Sequence, residues 1–560
     1  NTIYIAAGWY GDGANGGTED YSAGGAPDGG IYVTRRTEFY GGYAGWQGGA
    51  TFDWEARTPR ATVIDLEKAG SRALHFNRSA QSKIVGILDG FTFQNADHAA
   101  SGGAVYGASS LYGRFAISNC LFTNNATTGQ GGAVYIDVPY EPHTVTACDF
   151  IDNRASNGGA IRSGNNTVRL TVEDCLFLRN GATAAGGAIY FNGSNGWQQN
   201  VRRCRFEGNT AGTSGGAFFT SDPRVVVEQC ALINNAAPIG AAAGGQTYHT
   251  GAIYLQNCLV TGNTGGYALH VEGYRLFHTY SLDVVHCTVV SNDGGGIRCR
   301  DGNSTARPGR VVNSIVADNG GYGIHNTDRG YILANNNVTN NALGDYYNVT
   351  PDDASISADP RFLDAAGGDY RLAIDSPCID AGTNLAVTVD LDGVGRPTRY
   401  GYDIGCYEER ALPVIANRTP VAAGTSAEPR ATFVYEDPQT PTYAFFALDT
   451  ADRGAGAPDG WARFAAAGEQ EQGVIFGILF EGLEPETVYW YRCLASNAYD
   501  QVWGEAAWFR TAAAGGEVCT WTGLGGNALA SNTNNWRDGR APGAADYVVL
   551  DGAAAAITWD

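Results

Sequence analysis

Methionine is absent from this 560-residue chain, and lysine occurs only at Lys68 and Lys83. At ordinary usage a chain of this length carries on the order of ten methionines. An exposed, oxidising habitat disfavours methionine. Strong compositional bias has the same effect, and the composition does not choose between them. The shortage of positive charge excludes more. Lys and Arg total 36 against 57 Asp and Glu, a net charge of −21. Such an acidic surface argues against nucleic acid or an anionic membrane as partner and suits a secreted, extracellular or cell-surface protein, including one that binds cations. No apolar run has the length of a membrane-spanning helix, so no direct membrane insertion is expected in this segment. No leader pattern opens it, which reads as a mature product. No segment sustains a helical period either.

What the chain has in abundance is glycine, 78 residues of it, and a repeated phrase. The fullest form is Cys-x-Phe-x-x-Asn-x-Ala, followed by Gly-Gly-Ala-Ile/Val, as in Cys120, Phe122, Asn125 and Gly131-Gly132-Ala133-Val134. The Asn recurs at Asn125, Asn153, Asn180, Asn209, Asn235, Asn263, Asn292 and Asn319 with a period of 26 to 29 residues, and Asn95 and Asn341 are outlying members. A fixed period of this size is the mark of a solenoid. Three residues before each Cys stands an aliphatic residue (Ile117, Val145, Val172, Val201) and two after it Phe122, Phe150, Phe177, Phe206, then Leu232 and Val260. The intervening positions are mostly polar, as in Glu173-Asp174, Arg202-Arg203 and Glu228-Gln229. The pattern is strand, bend, strand, with like residues stacked about 4.8 Å apart. It predicts an all-β chain built on a right-handed parallel β-helix of about ten regular coils, preceded by less regular ones, each needing its neighbours to bury its apolar face.

The repeated columns have structural explanations. An Asn at a tight bend tolerates left-handed geometry, and its amide can form a ladder with the amides above and below. The Gly pairs mark bends rather than phosphate loops, because no helix follows them. The seven-Cys column from Cys120 to Cys287 reads as small buried thiols. Parallel in-register neighbours hold their Cβ atoms about 4.8 Å apart, beyond the relaxed disulfide range of about 3.5–4.5 Å. Cys378 and Cys406 lie outside the column and are expected to form a disulfide in a secreted protein. Two residues past the Ala of each Gly-Gly-Ala come Tyr106, Tyr135, Arg162, Tyr190 and Phe219, and later His270, Arg298 and His325. Parity with the inward Val/Ile points them outward. Such a column can bind sugar rings or a partner chain, or can serve the sheet alone by cross-rung stacking.

Phe-x-x-Asn with Gly-Gly-Ala-Ile/Val resembles the repeats of polymorphic outer-membrane proteins, sharply over residues 120–220 and less so beyond. The resemblance implies a surface β-helical passenger with an adhesive role. Residues 359–408, with Asp359-Pro-Arg-Phe-Leu-Asp364, Ser376-Pro-Cys-Ile-Asp-Ala-Gly382 and Asp403-Ile-Gly-Cys-Tyr407, closely resemble the choice-of-anchor Q module that closes secreted bacterial β-helices. A cap there would hide the last rung. Its Asp390, Asp392 and Asp403 are candidate Ca²⁺ ligands; the alternative is that they close turns and pair with Arg396. Residues 411–513 resemble a fibronectin type III domain, with Tyr489 as the corner tyrosine and Trp503 and Trp508 as packing residues. Residues 514–560 resemble the first, incomplete unit of autotransporter-like strand repeats. The expected domains are therefore 1–350 (β-helix), 351–410 (cap), 411–513 (sandwich) and 514–560 (partial repeat).

The carboxylates scatter over bends, where they read as solvated ion pairs. No local constellation for glycoside cleavage, zinc binding or serine chemistry appears in the sequence, although loops such as 7–30 and 236–251 can assemble a site. The leading expectation is a non-enzymatic extracellular structural or adhesive protein needing no cofactor beyond Ca²⁺. Its partners would be copies of itself, joined end to end by strand contacts into a filament, or cell-surface glycans. The alternatives are a polysaccharide-binding or polysaccharide-degrading β-helix, and a spacer displaying a C-terminal module.

Overall fold

A computed structural model describes residues 2–6, 8–10, 31–33, 37–43 and, apart from short loop segments, 58–550. The chain forms two compact units, Asn1–Glu409 and Arg410–Asp560.

The repeat pattern becomes a coil in the first unit, and one rung shows how. Arg169–Glu173 is a strand that buries Leu170 and Val172 on alternate positions. Asp174 then turns the chain with φ 55°. Leu176–Leu178 buries Phe177 alone. Arg179 turns again at φ 53°, a two-residue strand Gly181–Ala182 follows, Gly186 turns at φ 69°, and Ile189–Asn192 completes the circuit. Each segment pairs in parallel with its equivalent one rung on. Among the described residues this produces three parallel sheets of 12 strands each. Sheet A runs from Thr2–Ala6 to Ile332–Ala334, sheet B from Gly8–Tyr10 to Asn337–Thr339, and sheet C from Ile31–Val33 to Gly344–Tyr347. A fourth ladder of seven short strands spans Asp97–His98 to Thr264–Gly265.

The core is a set of stacks. Phe93, Phe122, Phe150, Phe177 and Phe206 lie with ring centroids 4.7–5.1 Å apart. The asparagine ladder forms as expected from Asn125 to Asn341: each side-chain amide donates to the next Asn carbonyl oxygen at 2.8–3.1 Å. Two details differ. The ladder Asn is not the left-handed residue; the residue before it is, at Asn124, Asp152, Arg179, Asn234, Ser291, Asp318 and Asn340. Asn95 belongs to that neighbouring column. It has φ 59°, accepts from Asn124 at 2.6 Å and donates to Asp65, while the Ala96 amide takes the ladder position against Asn125. In the Gly-Gly-Ala pairs that begin at Gly102, Gly131, Gly158, Gly186 and Gly215 the first residue supplies a positive φ, and the second lets backbones meet. A Cβ on Gly132 would lie 2.0 Å from the Gly159 carbonyl oxygen.

The cysteine column is buried and unbridged. Cys120, Cys148 and Cys204 each donate their backbone N–H to the sulfur of the next rung at 3.4 Å. Burial pushes the thiols of Cys120, Cys148 and Cys287 well above their ordinary range.

The segment after the coils lies along the outer face of sheet B as well as at its end. Tyr370, Leu372, Cys378, Ile404 and Cys406 pack on Leu259, Val290, Ile315 and Ala317, and Ile356 bridges to Asn337. It buttresses a side of the coil, where the expectation was a lid on the last rung. Cys378 and Cys406 are both free, correcting the expected disulfide. Cys378 accepts from the Asn337 amide and the Cys406 N–H donates to Thr288. Those anchors stand on strands two rungs apart in sheet B, roughly 10 Å, and each thiol fills its own place in the apolar cluster.

The second unit has two antiparallel sheets facing across Phe433, Phe446, Tyr491 and Phe509. Tyr489 receives the Glu484 backbone N–H on its hydroxyl at 3.0 Å. Trp503 stacks on Trp461, but Trp508, expected to pack, is 58 % exposed. Beyond the sandwich, Val518–Trp521 pairs in parallel with Tyr547–Leu550, and Trp521 meets Trp536 edge-on. Residues 551–560 lie outside the described residues.

Asn209 accepts from the Asn180 backbone and side-chain N–H groups and donates to Asn235 and the Phe177 carbonyl. Its replacement by Ala strands the Asn180 backbone N–H and the Phe177 carbonyl inside the core, takes one of the partners of the Asn180 and Asn235 amides, and costs roughly 3 kcal/mol or more. Urea unfolding of Asn209→Ala checks this; a change below about 1 kcal/mol contradicts the ladder's role. The seven column thiols should resist a thiol reagent in the native protein and react together once it is unfolded. Rapid native labelling of any of them disproves their burial.

Candidate functional site

Sheet C carries the outward column. Its register aligns His75, Tyr106, Tyr135, Arg162, Tyr190, Phe219, Gly244, His270, Arg298, His325 and Tyr347 on successive rungs. All eight residues singled out in the sequence therefore fall on one line, on the opposite face from Val105, Val134 and Ile161. Three neighbours of that line, His75, Gly244 and Tyr347, were overlooked. Their signal was the same offset, hidden where Gly-Gly-Ala is degraded.

The side chains of the column contact one another. His75 meets Tyr106 edge-on at 4.8 Å, Tyr106 stacks on Tyr135 at 5.1 Å, and Tyr190 on Phe219 at 5.4 Å. Arg162 sits between Tyr135 and Tyr190 at 5.1 and 5.8 Å from their ring centroids and donates to the Tyr135 hydroxyl. Arg72 covers Tyr106. Higher up, Tyr267 joins by a 2.6 Å hydrogen bond with His325 Nδ1, lies under Arg298, and His325 contacts Tyr347. Arg162, Phe219 and His270 are buried, while Tyr106, Tyr135 and Tyr190 remain half-buried. Burial pushes the Tyr135 hydroxyl up to about 12. Burial, with Arg298 and His325 nearby, holds His270 down to about 4, so its imidazole is neutral. Arginine and aromatic groups thus share one cohesive ridge, suited to a long partner that follows the coil axis.

The acidic residues of the buttress form a different arrangement. Asp390 accepts backbone N–H groups from Val394 and Glu408, and Asp403 accepts them from Asp380 and Glu409. Both close turns. Asp392 stands apart, on a groove of about 720 Å³ lined also by Arg205, Glu207, Tyr370 and Tyr407. The three candidates do not converge, and among the described residues no acidic, His or Cys cluster is arranged to hold a metal ion. Arg396 pairs with Glu408 with both side chains fully buried, and donates to the Asp403 and Gly405 carbonyls. Such a pair repays its desolvation only through this surrounding bonding. Burial, reinforced by Asp403, pushes Glu408 up to about 8, and burial pushes Asp403 to about 6.

Residues 199–343 match the family model of the right-handed beta helix region. The array is a right-handed β-helix. Residues 119–137 and 174–192 match the Chlamydia polymorphic membrane protein repeat, the two segments running from the Cys column through Gly-Gly-Ala to the outward tyrosines Tyr135 and Tyr190. No curated protein matches the chain.

The buried acids carry a pH signature. Glu408 and Asp403 bind protons more tightly folded than unfolded, so their contribution is present at low pH and fades as pH rises toward 8. Buried His143, His270 and His286, held down to about 4, 4 and 3, act oppositely below about pH 6.5. Between pH 6.5 and 8 stability should therefore fall with pH, and Glu408→Gln should flatten that slope. Urea titrations across the window decide it; an unchanged slope in the variant contradicts the assignment.

Proposed function

We propose that this chain is a non-enzymatic, surface-displayed bacterial β-helix whose sheet C ridge contacts cell-surface glycans or a partner chain. One observation carries this reading: the continuous outward line of stacked rings and guanidinium groups from His75 to Phe219. The inner stacks already hold the coil together, and the ridge adds an elongated aromatic surface beyond them. The polymorphic membrane protein repeat supports a surface or outer-membrane-associated setting. No helix among the described residues is long and apolar enough to cross a membrane. The resemblance of the second unit to a fibronectin type III domain is supported by the Tyr489 hydroxyl bonded five residues upstream, the geometry of a tyrosine corner. The resemblance of the buttress to a choice-of-anchor Q module fits its place on the coil.

A second reading, polysaccharide degradation, draws on the groove beside the buttress, where Glu207 and Asp392 stand with Tyr407. Degradation of a polysaccharide panel by the purified chain would favour it.

The double variant Tyr135→Ser/Tyr190→Ser should reduce binding to cell surfaces or glycans by roughly tenfold or more, each lost stacking contact being worth about 1 kcal/mol, with the fold retained at a lowered unfolding midpoint because the contacts to Tyr106, Arg162 and Phe219 are lost too. Undiminished binding in a folded variant removes the adhesive reading.

A further inference from the structure

The ridge has a side chain on every rung from His75 to Tyr347 except at Gly244. A Cβ there would lie 2.2 Å from Ser214 Oγ, 3.0 Å from the Gly215 nitrogen and 3.2 Å from Phe219 Cδ2, so a side chain would require Ser214 to turn aside. Near the break is a hollow of about 330 Å³, at the small end of the range for ligand pockets. Ile239, Gly245 and Gln246 of its lining come from the stretch where Pro238-Ile239-Gly240 replaces the regular phrase. Its apolar lining includes Tyr190, Phe219 and Ile239, and its polar lining includes Thr213, Ser214 and Gln246. Ile239 is 42 % exposed, an aliphatic group at the rim. Glu272, also in the lining, is held by Arg300.

We infer that this hollow is a subsite for one sugar unit of an uncharged polysaccharide lying along the ridge. A pyranose has an apolar C–H face, which packs on aromatic and aliphatic groups, and a rim of hydroxyls, which need the hydroxyl and amide partners offered by Thr213, Ser214 and Gln246. A carboxylated sugar would approach Glu272 in a protein of net charge −21, and like charges repel. The glycine break fits the ligand as well as the fold. It stops the side-chain stack at Phe219, whose ring lines the hollow and is left without a protein side chain on the next rung. The inference rests on the reading of sheet C as a glycan-contacting face and fixes where a single unit is held and of what charge.

The full chain is titrated calorimetrically with neutral glucan, mannan and xylan hexamers and with a polygalacturonate hexamer. Binding of at least one neutral hexamer is expected. Thr213→Trp, which fills the hollow from an exposed rim position, and Gln246→Ala should each weaken it roughly tenfold or more, where tenfold corresponds to about 1.4 kcal/mol, with unfolding midpoints unchanged. Full binding by both folded variants overturns the subsite, as does preference for polygalacturonate or the absence of binding by the unaltered chain at millimolar ligand. A separate Tyr135→Ser arm keeps the two readings apart. Loss there with full binding in Thr213→Trp supports the ridge and overturns the hollow, whereas loss in Thr213→Trp alone supports the hollow.

Discussion

Register between rungs is the constraint on which this protein depends. Strand pairing fixes the rungs about 4.8 Å apart, and a buried polar group in such a stack has few partners except its own copy above and below. An unpaired amide in the core costs about 1–3 kcal/mol. The asparagine ladder meets that demand by repetition. Asn209 ties its own rung to the rung below through Phe177 and Asn180 and to the rung above through Asn235. The phenylalanine stack obeys the same rule in apolar form, with interplanar angles of 2–4° between Phe122 and Phe206. Neither column can change one member without leaving its neighbours mismatched.

The corners are freer because their side chains leave the core. The left-handed position before the cysteine column holds Asn119, Ala147, Asp174, Arg203, Gln229, Asn257 and His286 in turn. What that corner requires is a backbone conformation, which costs a non-glycine residue roughly 1 kcal/mol or more and is repaid by the ladders on either side. Its side chains are then available for local ends: Arg203 with Asp174, and at the next corner of the rung Arg179 with Asp152, exposed pairs that add little stability. Near the buttress the same corner makes attachments. Gln229, Asn257 and Asn313 donate to the carbonyls of Asp390, Val389 and Thr383.

This division explains what the sequence made legible. Columns inside the core repeat in chemistry, so the period, the inward Phe and Val positions, the Asn ladder and the unbridged cysteine column were all readable. The outward line was readable by parity alone. Asn95 was misplaced because Asn124 and Asn125 are adjacent, and a single Asn one rung below fits either column until the register of Ala96 is known. The pairing of Cys378 with Cys406 followed habitat and proximity of motifs, and nothing in the local sequence shows that the two segments anchor to different rungs. Trp508 was assigned to packing by its bulk, although it lies in a short strand beside Trp490 whose burial alternation places Phe509, not Trp508, in the core. The stretch 236–251 stood out in the sequence as a loop that can assemble a site, but the break at Gly244 did not, because a glycine in a glycine-rich phrase looks like more of the same.

The cysteine column shows how far repetition can be read as structure alone. Its upper continuation is not cysteine: the Cys287 N–H donates to Ser314 Oγ, the Ser314 N–H to Asn336, and the Asn336 N–H to Ser355. What the position demands is an acceptor for the N–H of the rung below, and thiol, hydroxyl and amide all meet it. The thiols are therefore packing groups that also accept a weak hydrogen bond, and their chemistry is incidental to their place. The outward line behaves differently. Tyr, Arg, Phe, Gly and His alternate there with no shared hydrogen-bonding duty to the backbone, so the inner register does not dictate them. Where the fold does not select a residue, binding can, and the face of sheet C is where that freedom is concentrated in one line with a single break at Gly244.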